Sequence, residues 1–298
     1  MTAISKSKVK KSEYYGLIWI AIALFFVIIF SVYPIFSAIY HSLTEWNLTQ
    51  SKFIGFDNFT RLFVDTVFWK SAGNLIILMT TGLILGNGAA ILLAELIHNL
   101  KNSKAASFYR FIFILPALVP GIVVMLMWTK IIFNPGPSGL MNTILSFFNI
   151  DSQGWYFDEN ISLLSLIFTG FPWAAGTSFL IYLAGLNNIS DEIYEAASLD
   201  GATVFNRIWH IDLPLIKSQI KYFVVLGIIG GMQSFDMQLM FTSGGPNYST
   251  TVPGYYMYES AFFGGEFGYA SAIGFVLFVI TLILTLINNR KSKEDREA

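Results

Sequence analysis

The chain has no cysteine, which excludes a disulfide framework and any thiolate metal site. Histidine is scarce, at three residues, and none is paired with a nucleophile, so neither a catalytic centre nor a metal site is expected. Charge is scarce as well: Asp, Glu, Lys and Arg make up 12% of the 298 residues, against roughly a quarter in soluble domains. No G-x-x-x-x-G-K-[ST] loop occurs, so the chain cannot cradle nucleotide phosphates in the usual way. No basic, aromatic-interleaved patch is present to grip nucleic acid.

What the chain has is apolar length. Hydrophobic residues make up 54%, in blocks that recur from end to end, so the membrane is the main solvent and a single anchor on a soluble domain is excluded. A crossing helix takes about 20 apolar residues, because the hydrocarbon is roughly 30 Å thick and each residue rises about 1.5 Å. Six windows qualify, at residues 15–41, 71–98, 108–133, 161–187, 220–241 and 269–287. In lipid every backbone N–H and C=O must be satisfied within its own segment. The expected fold class is therefore all-α: a polytopic bundle of six transmembrane helices in one domain, 15–287, between tails 1–14 and 288–298. The first block follows Lys6, Lys8, Lys10 and Lys11 as a signal peptide would, but it is too long for an h-region and five spans follow it. Pro34, Pro116 and Pro120 fall inside spans, where each removes a backbone donor and tends to kink the helix.

Lys and Arg sort by side. With the N-terminus inside, 14 of the 18 lie on inner segments, and only Lys52, Arg61 and Lys70 lie outside. Lys130 sits near the outer end of the third span, where it can snorkel. Both termini are expected to be cytoplasmic. Trp19, Trp46, Trp69, Trp128 and Trp155 fall near span ends, as interfacial anchors do.

The inner connection 188–218 reads as ordered amphipathic helix rather than linker. Ser190 is placed to cap a helix whose first turn holds Asp191 and Glu192, beside the positive end of its dipole. Ile193, Ala196 and Ala197 give a low, partly apolar face, Gly201 ends the helix cheaply, and a second helical stretch at 202–210 is expected to stop at Pro214. A free-standing interfacial helix would be basic with large apolar residues. This one is acidic and small, and anionic lipid heads would repel it.

Glu195-Ala196-Ala197, then Gly201, Ile211 and Leu213-Pro214, fill every fixed position of the EAA loop of bacterial ABC importer permeases, which this chain resembles. The resemblance implies that this loop is a coupling helix docked on a separate ATPase subunit, with Glu195, Ala196, Ala197, Asp200 and Gly201 at the contact. It also implies that ATP and Mg are bound by that partner, that no cofactor or metal sits in this chain, and that the chain is a transport subunit rather than an enzyme. Further phrases, Gly55-Phe-Asp-Asn-Phe59, Phe113-Ile-Leu-Pro116, Phe133-Asn-Pro135, Leu183-Ala-Gly-Leu186, Ser243-Gly-Gly-Pro246 and Gly268-Tyr-Ala-Ser-Ala272, are similar to the branch that moves sugars and glycerol-phosphate-type solutes. That branch implies a bacterial cytoplasmic membrane location, a second homologous permease, an extracellular solute-binding protein and a carbohydrate cargo.

Two stripes are candidates for the path. Gly227, Gly231, Ser234 and Gln238 recur at i, i+4, i+7 and i+11 on the fifth span, with Gln233 adjacent; Gly170, Trp173, Ala174 and Thr177 share a face of the fourth. In the maltose-type subunit the matching faces contact sugar midway across the membrane. Hydroxyls and amides suit sugar hydroxyls, and the ring of Trp173 suits a sugar's C–H face. Gly227-x-x-x-Gly231 is equally a helix-packing motif, so path lining and packing both stand. Where the maltose-type subunit has two asparagines, this chain has Gly231 and Ser234, which leaves room for a different or bulkier solute. Asp236, also in the fifth span, is expected to make a structural or gating hydrogen bond. Glu95 and His98, at the inner end of the second span, are expected to be solvated. An ion-coupled secondary transporter of a small polar solute is the other class weighed; its inverted repeats and clustered ion ligands are not evident.

Overall fold

The computed structural model describes residues 19–172 and 176–297, with side chains as far as residue 288. The expected tail 1–14, the start of the first span and Trp173 lie outside the described residues. Among the described residues four helices are long and apolar enough to cross a membrane: Trp19–His41, Thr66–His98, Lys217–Thr242 and Phe267–Asn288. A fifth crossing is the pair Ser103–Leu118 and Gly121–Ile132, bent by 87°. The break has a local cause. Val119 precedes Pro120, is driven out of the helical region to φ −79°, ψ 126°, and Pro120 then starts the next helix as its N-cap.

The all-α class holds, but not six uninterrupted helices. The expected span 161–187 is two short helices, Ser162–Phe168 and Ser178–Asn187. Between them Gly170 takes φ +89° and Gly176 φ +112°, backbone that only glycine adopts easily, and Pro172 has no N–H to continue a helix. The fifth span is interrupted too: its regular part ends at Gln233, Ser234 is extended with ψ 129°, and a wide π turn, Gln238–Thr242, follows. A small antiparallel ribbon pairs Thr44–Trp46 with Ser51–Phe53, setting Glu45 opposite Lys52. Sequence periodicity did not foresee it, because each strand is three residues long.

The chain divides into two compact units. The first comprises Met1–Asp65 and Met257–Val276. Buried Asn58 donates to the carbonyls of Ser42 (2.9 Å) and Thr44 (3.0 Å), fixing the ribbon to helix Asp57–Val64. Arg61 makes a two-pronged ion pair with Glu266 (2.9 and 2.8 Å) and lies 4.0 Å over the ring of Tyr269, whose hydroxyl donates to Asp65. A side chain at Gly268 would collide with the Thr44 carbonyl. The phrases around Asn58 and Gly268 are thus the packing surfaces of this unit.

The second unit comprises Thr66–Tyr256 and Leu277–Ala298. Its larger core sets Ala90, Leu93, Ala94 and Ile97 of the second span against Phe179, Tyr182, Leu183 and Leu186, with Ile216 closing it. Gly185 is needed there, since a Cβ would come within 3.1 Å of Ile216 and 3.0 Å of the Gln219 amide. A second core gathers Trp128, Phe133, Tyr156 and Leu166. Trp128 is therefore a core residue, 7% exposed, and not the interfacial anchor expected of it. Beside it Asn142, 1% exposed, sets the two N–H donors of its amide within 3.1–3.2 Å of four carbonyls, those of Asn134, Pro135, Gly136 and Gln153, and accepts from the backbone of Gln153 and the indole of Trp155.

Candidate transport path and coupling surface

The interrupted fifth span borders a cavity of about 210 Å³, lined by Gly231, Ser234, Met237 and Gln238 with Leu75, Leu78 and Met79 of the second span, Leu166, and Val252. The break places Ser234 at the edge of this space, and non-helical backbone at membrane depth survives only where protein or a cavity takes it up. Gln238 is buried at 4% exposure, whereas Gln233, Ser234 and Asp236 lie on an exposed face of the chain.

Three of the sequence-predicted path residues, Gly231, Ser234 and Gln238, thus come together. Gly227 does not join them; it packs on Leu83, and Gly231 itself also packs on Met79, whose Cγ would lie 2.9 Å from a Cβ there. Both glycines therefore pack against the second span, and Gly231 alone of the two also borders the cavity. Gln233 is exposed and does not line the cavity, and Thr177 is exposed at the N-cap of Ser178–Asn187. The second-span side of the cavity gave no signal in the sequence, because leucine and methionine are unremarkable in an apolar helix.

The cavity is bordered by the segment that begins Ser243-Gly-Gly-Pro246. Ser243 takes the left-handed φ +47°, and a Cβ at Gly244 would collide with Thr251. Asn74 donates to the carbonyls of Tyr248 (3.0 Å) and Thr251 (2.9 Å), Lys70 to that of Asn247 (2.7 Å), and the hydroxyls of Ser162 and Ser249 meet at 2.7 Å. Thr250 and Thr251 are fully buried by these ties.

The 188–218 connection is ordered as expected, with two corrections. The helix runs Asp191–Leu199, but the Ser190 hydroxyl makes no capping bond among the described residues. Pro214 does not end a helix; it opens the short turn Leu213–Leu215 after the π turn Ile208–Asp212, and the break before the fifth span falls at Ile216. Gly201 ends the first helix in the left-handed region, φ +73°. Glu195, Ala196, Asp200 and Gly201 are exposed, and Leu199 is 90% exposed. Ala197 is not on that surface; it is buried, at 8%.

Glu95 was expected in solvent and is 4% exposed. Arg207 reaches it: Nη2 lies 3.7 Å from Glu95 Oε2, the same nitrogen donates to Asn99 at 2.7 Å, and Nε donates to Asp212 at 3.0 Å. The guanidinium lies 5.2 Å over the ring of Tyr194, whose centroid is 5.6 Å from that of the His98 ring. Burial, then the charge of Asp212, holds the Tyr194 phenol well above its ordinary range.

Residues 86–292 match the family model described as the binding-protein-dependent transport system inner membrane component. The chain belongs to that family. This permease is 31% identical over 274 residues to a probable ABC transporter permease protein, YurN, of Bacillus subtilis, which it covers to 93% with 91% of its own length. It is 31% identical over 288 residues to the multiple sugar-binding transport system permease protein MsmF of Streptococcus mutans, covering 97% of that chain with 95% of its own. Among solved structures it resembles a bacterial ABC transporter involved in the import of the acidic polysaccharide alginate, with TM-score 0.82, 24% identity, and coverage of 96% of this permease and 98% of that chain. It also resembles a bacterial alginate ABC transporter in complex with an alginate pentasaccharide-bound periplasmic protein, with TM-score 0.82, 23% identity and coverage of 96% of each chain. The likeness to the solved structures is one of fold. The family assignment makes the chain a multi-pass inner-membrane transport subunit and not an enzyme.

Proposed function

We propose that this permease forms one half of the path by which a carbohydrate, delivered by an extracellular solute-binding protein, crosses the membrane at the expense of ATP hydrolysed by separate ATPase subunits. The observation that carries the reading is the cavity at the broken fifth span, where Ser234 and Gln238 offer hydroxyl and amide groups among apolar walls. The sugar-transport name of MsmF and the saccharide-loaded partner of the alginate transporter support a carbohydrate cargo. The exposed polar face of Gln233, Ser234 and Asp236 cannot rest in hydrocarbon, which supports a second, homologous permease covering it. The Lys and Arg distribution supports cytoplasmic termini and a cytoplasmic Asp191–Leu199 helix. That helix docks on the ATPase through Glu195, Ala196, Asp200 and Gly201, with Ala197 securing it from beneath. Trp173 and Thr177 extend the path along the other interrupted span.

The test is to tag the chain in its native membrane, extract it in mild detergent and identify by mass everything that stays bound. Recovery of an ATPase and a second permease is expected. A chain recovered alone, in cells that still accumulate the solute after ATP depletion while an ion gradient persists, would replace this reading with ion-coupled transport.

A further inference from the structure

The connection between the third and fourth spans carries a surface that nothing described so far uses. Leu140, Ile144, Phe147 and Phe148 recur at i, i+4, i+7 and i+8, the spacing of one helix face. All four are exposed, Phe147 at 80% and Phe148 at 71%. The helix is Leu140–Ser146, and its last turn continues: the Phe147 N–H reaches the Ile144 carbonyl and that of Phe148 the Leu145 carbonyl. Asn149 then takes the left-handed φ +56°, and the Ile150 N–H returns to the Leu145 carbonyl at 3.1 Å, which closes the helix. The apolar ridge is thus built on ordered backbone.

Other residues of this helix fasten it to the end of the third span. Asn142 sets its amide against the carbonyls of Asn134, Pro135 and Gly136, just beyond Ile132, and Met141 packs on the core of Trp128, Phe133 and Tyr156. The helix is therefore held at the depth where a span leaves the membrane, whichever way the chain is inserted.

What covers the ridge follows from its surroundings. From Ile131 to Ile150 there is no charged residue, whereas soluble domains carry roughly a quarter. Both hydroxyls of the helix are turned back onto local backbone: Ser146 donates to the Thr143 carbonyl at 2.7 Å and Thr143 to that of Pro137 at 3.4 Å. A protein partner is held by a polar rim with about one hydrogen bond per 100–200 Å², and neither hydroxyl has a proton left for one. The ridge also continues the exposed apolar end of the third span, where Met127 and Ile131 are open. A free-standing interfacial helix adds basic residues to hold it to the surface. This one is already pinned by Asn142 and needs only its apolar face.

We infer that residues 140–150 form an interfacial anchor whose ridge lies in the boundary between phospholipid headgroups and acyl chains. The connection thereby fixes the end of the third span to the lipid surface and is not a face offered to another protein. This rests on the family's membrane location and not on the proposed cargo or partners.

The test uses the complex that purifies with the tagged chain, placed in nanodiscs of phosphatidylcholine and phosphatidylglycerol doped with a phosphatidylcholine whose acyl chain bears a diazirine. After illumination, the peptide spanning 140–150 of the parent chain is expected to carry lipid adducts, as the spans do. Adducts on the spans but none on this peptide overturn the inference. Nitroxide labels at Phe147→Cys, Phe148→Cys and Ser146→Cys, with the equally treated parent complex as background, then report what the ridge meets. Relaxation by dissolved oxygen is expected to exceed that by a water-soluble nickel chelate at 147 and 148, with the order reversed at 146. Stronger relaxation by the chelate at 147 and 148 would place the ridge in water, and exclusion of both reagents there would place it under protein; either result overturns the inference.

Discussion

Leu83 of the second span lies so close to Gly227 of the fifth that a methyl group on Gly227 would collide with it. Lipid tails are as apolar as leucine, so helices in membranes associate by packing of this kind rather than by hydrophobic burial. Gly227→Val is expected to destabilise the detergent-purified protein by about 1–3 kcal/mol, as overpacking does. Leu83→Ala in the same chain should restore most of the loss, which a melting-temperature cycle measures. Gly230→Ala, three residues on and with nothing within 4 Å of its Cβ position, should leave melting unchanged.

Asn142 is the tie for the segment between the third span and Tyr156. Asn142→Ala leaves carbonyls and the Trp155 indole without their partner, at an expected cost of about 2–4 kcal/mol. Asn142→Asp should do no better, because the amide that faced four carbonyl oxygens becomes a carboxylate. Trp155 fluorescence during thermal unfolding, and protease cutting within 134–155, report both.

Gly201→Val forces a β-branched side chain into φ +73°, at about 1–2 kcal/mol of local strain. The surroundings are open, so membrane insertion is expected to survive while uptake per ATP hydrolysed falls. Normal uptake in that variant would remove Gly201 from the coupling surface.

The absence of native cysteine makes topology directly measurable. Single cysteines placed by Ser198→Cys and Ser51→Cys both lie at exposed positions. A membrane-impermeant maleimide added to intact cells should label position 51 only, and label position 198 after permeabilisation. The opposite pattern would invert the orientation.

Once a screen of labelled mono- and oligosaccharides has identified the cargo, Gln238→Leu is expected to raise the KM for uptake about five- to tenfold, the loss of one buried hydrogen bond. Protein level in the membrane should not change. Ser234→Ala should act in the same sense and Gly227→Ala should not, because Gly227 lies outside the cavity lining.

Length and hydropathy made the spans legible, and Pro120 announced the bend in the third. The interruption in the fourth was not legible, because Gly170, Pro172 and Gly176 are tolerated in continuous membrane helices and only the positive φ angles of the two glycines reveal the break. Helical periodicity grouped Gly231, Ser234 and Gln238, which do border one cavity, yet it also carried Gly227 along, since a repeat of small residues does not say which of them faces a partner helix. The EAA pattern located the helix at 191 but not the inward turn of Ala197, which depends on contacts outside the motif. Glu95 was misread for the same reason. Its partners Arg207 and Asp212 lie far along the chain, and a carboxylate at a span end looks solvated until they are placed beside it.

The second span is fastened near both ends. Lys70 and Asn74 hold the segment 247–251 at one, and Glu95 and Asn99 meet Arg207 at the other. Between these fastenings Leu83 and Met79 are wedged against the glycines of the fifth span. A lever pinned at two points and wedged in the middle swings as a single leaf. On the path proposed above, the second and fifth spans would move together, and a solute would pass along the exposed polar edge of Gln233, Ser234 and Asp236.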